Sequence, residues 1–520
     1  MLRRRPHGLR LVALLVLLTA LAAAGCGGSS SGPTSTSTGP DPATVAPADA
    51  ALYGQATVRP SGAMKAGVLA AARKVLLVQD PGAALGRLLD KSTRSDHVVF
   101  SRDVEPWLGQ RIGAFLLLPA AGSGKPDWAA AFSIADRSAF DAALPRLRKS
   151  GHEQAAGSYR GVSYDRDASD GTTYDAPVGD FYVVGTLTGL RAAIDASKGS
   201  SLADSSRFKD AASGVPGDAL AFVYADPRAI VAGIGSLPKA PAAAQQALAR
   251  YANAAPVVAS LTATADQIAL QASADRQLAG ALDGGSSNAQ VSVGQMPSDA
   301  WLALATPPLG PLVRQALETA GVHDQAAAQV RRRTGLDLDA DLLGPLGGLG
   351  LFVRGESPLD VGGGVLLQMT DAAAAQRLLT RLEAIVAAGL HVAPQPVAVS
   401  GARGFQVAIP QLPQPIVVLA KGDRLAAGYA ASSAQDLLDP QQRFDAGAGG
   451  KAAIATLGAG YTPSFVLIVP PLAALLRSLA DLQVANVSPV LPYLDAYRSL
   501  AIGTKRDGDR TTLRIVAALR

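Results

Sequence analysis

The chain has a single cysteine, Cys26, among 520 residues. No disulfide can form within it, so packing alone must hold the fold. Histidine is nearly as scarce. His7, His97, His152, His323 and His391 are scattered, and no two stand at the spacing of a histidine metal site. Beyond residues 11–24 no run of eighteen apolar residues occurs, so no later segment reads as a transmembrane helix. A basic excess is missing as well. The formal charge of +5 drops to about +1 once residues 1–25, with four arginines and no acid, are set aside. Without a clustered basic face, nucleic acid is not an expected partner. What the chain does have is apolar residues, 48% of the total, enough for substantial cores. Its length exceeds what one core organises and implies two or more domains.

The most informative stretch is the first. Arg3, Arg4, Arg5 and Arg10 precede the uncharged run Leu11–Ala24, which ends in Ala23-Ala24-Gly25-Cys26. A basic start, a short apolar run and a small-residue exit form an export signal over residues 1–25. Small residues before a lone cysteine resemble the lipobox of bacterial lipoproteins, although Ala23 stands where that motif usually carries Leu. The resemblance implies that the Cys26 thiol is the lipid attachment point. Ordinary cleavage with Cys26 left as a free thiol is the alternative. Arg4-Arg5 keeps twin-arginine export open beside the general route. Residues 27–46 then run GGSSSGPTSTSTGPDPATVA, with only Val45 bulky and apolar. Such a segment cannot offset its own ordering entropy, so 26–46 is expected to be a disordered tether of roughly 25 Å.

The folded region is expected to begin at Pro47-Ala48-Asp49. A helical pattern covers about Ala63 to Leu89, and Val98–Phe100 and Ile112–Leu118 read as strands. Trp128–Ile134 is a strand, followed by a helix with Asp136 as N-cap, Phe140, Leu144 and Leu147 on one face, and Gly151 at its stop. Ser163–Asp165, a polar loop, Phe181–Gly185, a short helix over Leu187–Ala196 and the strand Ala219–Tyr224 follow. Val257–Ala263 and Gln267–Ala274 close the unit. The same order then returns. Met296-Pro297-Ser298-Asp299 answers the opening, and Leu349–Val353 answers Ile112–Leu117. Gly363–Met369 leads to a helix capped by Asp371. Val417–Lys421, Leu425–Tyr429, Gln435–Leu438, Ser464–Pro470, Ala501–Lys505 and Thr511–Ala517 complete the parallel. This predicts an internal duplication, 47–280 and 296–520, joined by a linker at 281–295 that contains Asp283-Gly284-Gly285-Ser286-Ser287. Strands in direct succession pair antiparallel. The fold class is therefore α+β: two tandem copies of an antiparallel sheet with helices packed on one face.

Several short motifs carry a further resemblance. They are Pro47-Ala48-Asp49, Asp103 to Pro106-Trp107-Leu108-Gly109, and Ser201-Leu202-Ala203-Asp204 before Phe208-Lys209. With the lipoprotein signal, they look like an actinobacterial family of exported lipoproteins of unknown function. The second copy lacks the Pro-Trp-Leu-Gly tetrad and has Leu343-Gly344-Pro345-Leu346 nearby. That family brings no catalytic residues to carry over.

No catalytic signature survives inspection. Ala121-Gly122-Ser123-Gly124-Lys125-Pro126 has Pro119 where a phosphate loop needs Gly and Pro126 where it needs a hydroxyl. Gly362-Gly363-Gly364 precedes a strand and offers no helix N-terminus to a pyrophosphate. Asp165, Asp167, Ser169 and Asp170 alternate as in a calcium loop, but Asp170 and Ala176 occupy the positions of the required Gly and Glu. A solvated loop is the better reading. Asp337, Asp339 and Asp341 fail similarly at Leu342. No G-x-S-x-G elbow is present. Neither a metal nor a cofactor is expected. Trp107 has two readings: an indole packed in the core beneath its turn, or part of a ligand or partner surface.

Two functions remain. The first is a non-enzymatic protein, lipid-anchored through Cys26 on the extracytoplasmic face of the cell membrane, that binds an envelope protein or an apolar ligand. The alternative is an envelope hydrolase whose site is assembled in space.

Overall fold

The computed structural model describes residues 39–93, 98–118, 125–150, 153–235, 251–280, 289–390, 393–410, 412–483 and 486–520. The signal, Cys26 and the tether up to residue 38 lie outside the described residues, as do linker residues 283–287 and most of the Gly-Ser-Gly-Lys loop. Two compact units divide between Leu278 and Ala279.

Unit 1 contains β1 (Leu52–Thr57), β2 (Leu108–Leu117), β3 (Asp127–Ile134), β4 (Glu153–Tyr159) and β5 (Val162–Asp167). It continues with β6 (Tyr174–Val178), β7 (Phe181–Gly185), β8 (Ala221–Ala225), β9 (Val257–Ala263) and β10 (Gln267–Asp275). They pair in the order β10-β9-β8-β1-β2-β3-β7-β6-β5-β4, antiparallel throughout. Unit 2 contains β11 (Ala300–Ala305), β12 (Leu346–Arg354), β13 (Gly362–Met369), β14 (Gln395–Val399) and β15 (Ala402–Val407). After these come β16 (Ile416–Lys421), β17 (Arg424–Tyr429), β18 (Thr462–Ile468), β19 (Tyr497–Asp507) and β20 (Arg510–Leu519). Their order is β20-β19-β18-β11-β12-β13-β17-β16-β15-β14, again antiparallel. Each strand of unit 1 has its counterpart at the same place in unit 2. The α+β class and the tandem copies are thus present in full.

Matching local devices set the shared order. The Ala139 N–H donates to Asp136 Oδ1 at 2.9 Å, and the Ala374 N–H donates to Asp371 Oδ1 at 2.7 Å. Both are N-caps satisfying donors that a helix start leaves free. Arg160-Gly161 and Ser400-Gly401 turn the β4–β5 and β14–β15 hairpins with φ of 47°, 79° and 49°, 78°. Positive φ at both central residues matches the twist of the flanking strands.

Four expectations need correction. First, folding begins before Pro47. Pro42–Val45 forms a 3-10 turn capped by Asp41, with Ala43, Val45 and Ala46 buried; Val293–Gln295 does the same in unit 2. A local cap and a few small apolar side chains suffice, so the composition of the whole stretch misled. Second, the long helix is two, Gly62–Leu76 and Pro81–Thr93, because Leu77 adopts φ 54° and Asp80-Pro81 restarts the chain. Third, Phe100 enters a helical turn, Phe100–Asp103, where Asp103 Oδ2 accepts the Val99 N–H at 2.9 Å and overrides β-branched propensity.

Fourth, helices cover both faces of the unit 1 sheet. Pro42–Val45, Leu187–Lys198 and Ser206–Ala212 pack with Tyr53, Phe115, Ala131 and Val183. The helices at 62–76, 81–93 and 137–150 pack with Ala56, Ile112, Ala130 and Tyr182, which point the other way along the same strands. A strand with apolar residues on both sides must be covered on both.

Trp107 belongs to the second core. It is 2% exposed, and its Nε1–H donates to the Asp103 carbonyl at 2.7 Å. Its ring stands edge-on to Phe140 at 5.1 Å and to Tyr182 at 6.0 Å. Trp107 therefore lines no ligand or partner surface, because its whole indole is spent on core contacts. Truncation to alanine should cost unit 1 roughly 3–5 kcal/mol, the usual range for a buried aromatic. Thermal unfolding of Trp107→Ala checks this, and a transition unchanged within error would contradict it.

Candidate functional site

Below the aromatic trio, the same face turns acidic. Asp165 on β5 pairs directly with Asp175 on β6. Glu153 on β4 stands on that face too, since its neighbour but one, Ala155, faces Asp165. Tyr182 on β7 follows, because Pro177, two residues after Asp175, faces it. Strand alternation thus lines up four polar side chains on four adjacent strands. One carboxylate oxygen from each of Glu153, Asp165 and Asp175 lies within 4.8 Å of the others. Like charges directly opposite one another destabilise a sheet, so the arrangement runs against fold stability.

The cluster has little solvent and few donors. Asp175 is 4% exposed. Glu153 Oε2 and Asp175 Oδ2 are buried atoms without a hydrogen-bond partner. Asp165 Oδ2 lies 2.6 Å from Arg148 Nη2, at the end of the helix Arg137–Ser150, as an ion pair. The Tyr182 hydroxyl donates to the Asp175 carboxylate. Asp167 adds a fourth nearby carboxylate, but its Oδ1 is taken by the Ser169 N–H and hydroxyl.

Desolvation raises the Glu153 pKa to about 8, with the charges of Asp175 and Asp165 next in weight and Arg148 opposing. Burial likewise lifts Asp175 to about 6, against the Tyr182 hydrogen bond. The Tyr182 phenol is itself pushed well above its ordinary value, first by burial and then by Asp175 and Glu153.

Unit 2 shows what the fold needs at these places. Aligned on the two hairpin turns, Phe405 corresponds to Asp165, Val418 to Asp175 and Leu425 to Tyr182. Phe405, Val418 and Leu425 are buried together with Leu379 of the helix Ala372–Leu390. Each such side chain is worth about 1.5–3 kcal/mol of burial. An apolar patch satisfies this part of the fold in unit 2, so the fold does not itself require the carboxylates of unit 1.

A family model described as "Protein of unknown function (DUF3352)" matches residues 10–516. The chain belongs to that family. No curated protein matches it. Among solved structures, crystal form III of TP0453 is similar at 12% identity and a TM-score of 0.25, covering 45% of this chain and 80% of that one. Crystal form IV of TP0453 is similar at 13% identity and the same TM-score, over 48% and 85%.

In this family member the short motifs hold the fold. Ser201 and Asp204 form a capping box, with Asp204 Oδ2 accepting the Ser201 N–H and hydroxyl. Pro47 bridges to Ser201, and Phe208 packs edge-on against Tyr53. Asp103 accepts from Arg102, Arg146 and Val99, and these partners hold its carboxyl well below the usual range. The suspected calcium loop is a self-satisfied turn, for Asp170 accepts from the Thr172 and Thr173 N–H groups. Asp165 instead faces the cluster, which sequence spacing did not reveal. Asp337 caps the turn Leu338–Leu343, Asp341 accepts from the Asp337 N–H, and Asp339 binds Arg314 and His323. His323 is the one histidine among the described residues, and its side-chain partners there are Asp324 and Asp339.

The raised carboxyls have a consequence for stability. Each holds a proton in the fold that the unfolded chain has already released, so stability falls as pH rises through that window. It runs from the ordinary carboxylate value to about 6 for Asp175 and to about 8 for Glu153. In chelator, the melting temperature of unit 1 should fall between pH of about 5 and about 8. A Glu153→Gln, Asp175→Asn double variant should lose most of that slope. A wild-type melting temperature that is flat or rises over the range would contradict the assignment.

Proposed function

We propose that this family member is a non-enzymatic protein of the cell envelope, anchored on the extracytoplasmic membrane face by a lipid on Cys26, that binds an envelope protein or an apolar ligand. The observation that carries the reading is the N-terminal arrangement: four arginines, an apolar run to Ala24, and the sole cysteine two residues on. No helix among the described residues is long and apolar enough to cross a membrane. A lipid on Cys26 would then hold a body that starts to fold at Asp41, fifteen residues downstream. In support of a binding role, Leu76 and Leu88 of the helices 62–76 and 81–93, and Leu77 at the end of the first, are more than 40% exposed.

Cys26→Ser should move the protein out of the membrane fraction or leave it with its signal uncleaved. Intact mass of the parent should carry the added acyl groups. A variant that fractionates like the parent, together with a parent of unlipidated mass, would end the lipoprotein reading. Mass spectrometry of organic extracts from the purified protein tests the ligand separately, since a bound apolar compound should co-purify in stoichiometric amount.

A further inference from the structure

We infer that Glu153, Asp165 and Asp175 of unit 1 form a binding site for a divalent cation of the calcium type. Three observations meet here. The first is convergence, one oxygen from each carboxylate within 4.8 Å of the others, the span of one ion's coordination shell. The second is Asp175, which is 4% exposed, holds a buried Oδ2 without a hydrogen-bond partner, and places a carboxylate oxygen within reach of the other two acids. Buried carboxylates in natural folds are paired or bind metal, and an orphaned oxygen at such a place calls for a partner. The third is the apolar counterpart in unit 2, where Phe405 and Val418 fill the same positions as packed core. The sheet closes without acids there, so their presence in unit 1 is not a requirement of the fold.

The chemistry of the donors selects the ion. Every donor is a hard oxygen, from three carboxylates and the Tyr182 phenol beside them, with no sulfur or imidazole among the described neighbours. That set suits calcium or magnesium rather than zinc or copper. Magnesium keeps several waters and sheds them reluctantly, which the burial of Asp175 disfavours. Calcium takes mono- or bidentate carboxylates in a flexible shell. Charge agrees as well. Once an entering cation displaces the protons held there, three carboxylates less the Arg148 guanidinium leave two negative charges, which one divalent cation neutralises. Arg148 serves as a fixed counter-ion on Asp165, and its partly exposed side chain can swing aside if Asp165 becomes bidentate. Asp167 stays bound to its own turn and contributes field rather than a ligand. This site is independent of the lipid anchor, and either can fail without the other.

The test uses the full mature chain, stripped with EDTA and titrated with calcium chloride by calorimetry. One site per chain is expected, together with a rise in melting temperature that magnesium at equal concentration does not match. Terbium should bind the same site and luminesce on excitation of tyrosine and tryptophan, because Tyr182 lies against Asp175 and Trp107 stands 6.0 Å from Tyr182. Calcium should quench that emission by displacement. Asp175→Asn and Glu153→Gln should each weaken calcium at least tenfold, while Asp170→Asn in the neighbouring turn should leave it unchanged. Absence of calcium binding to the wild type up to millimolar concentration would overturn the proposal without reference to any variant. So would binding that Asp175→Asn and Glu153→Gln both retain at full strength. If those two variants do not fold, the wild-type titration and terbium displacement decide alone.

Discussion

The constraint on which this structure depends is that a ten-stranded antiparallel sheet has two faces, and its central strands are apolar on both. A backbone paired strand to strand satisfies its own hydrogen bonds but leaves those side chains uncovered. Helices must therefore be drawn from between the strands and laid on each side. The unit does this economically: elements at 42–45 and 187–212 close one face, and those at 62–103 and 137–150 close the other. The strand order follows from the same need. The segment 62–103 and the helix 137–150 both leave the sheet on one side, and the strand that follows each is set where that cover can be completed.

Much of this was legible in the residues. The two caps at Asp136 and Asp371, the strand–helix unit after each, and the repeat of some dozen elements all show in sequence, because each rests on a local chemical preference. What escaped was non-local. Residues 41–46 look like linker because their neighbours are Ser, Thr and Gly, yet Ala43 and Ala46 are fully buried by elements far along the chain. Asp165 and Asp167 belong to an alternating acidic run that reads as a solvated loop, with that face open to water. Whether a helix lies over that face is decided by the packing of 137–150, and no residue of β5 records it. The carboxylate group is missed for the same reason. Its members are twelve and ten residues apart along the chain, and only the register of β4, β5 and β6 brings them together.

The same distinction explains why the short motifs of the sequence carry little functional information. Ser201-Leu202-Ala203-Asp204, Pro47-Ala48-Asp49 and the run from Asp103 to Gly109 are the places where unit 1 ties its loops to its sheet. Asp103 gathers three donors on its carboxylate and a fourth on its carbonyl. Removing such a group leaves several donors unsatisfied at once, a large penalty for one residue. Motifs of this kind serve the fold, and their chemistry says nothing of an activity.

The duplication supplies an internal control that sharpens the contrast. The Ala135 N–H donates to the Trp107 carbonyl, and the Thr370 N–H donates to the Pro345 carbonyl, so these two residues occupy one structural place. Counting from the two caps, Phe140 likewise answers to Ala375, and by register Tyr182 answers to Leu425. Where unit 1 holds Trp, Phe and Tyr, unit 2 manages with Pro, Ala and Leu. Where unit 1 holds Asp165 and Asp175, unit 2 holds Phe405 and Val418. Features common to both copies are those the sheet requires: the hairpin turns, the helix caps and the strand order. Features on one copy alone have no such warrant. The large aromatics of unit 1 can be explained by packing, since they fill volume and bury area. Buried carboxylates cannot, because each costs several kcal/mol in desolvation and returns no apolar contact. Residues that lower stability in one copy, at positions the other fills with core, are therefore not there to serve the packing of the sheet.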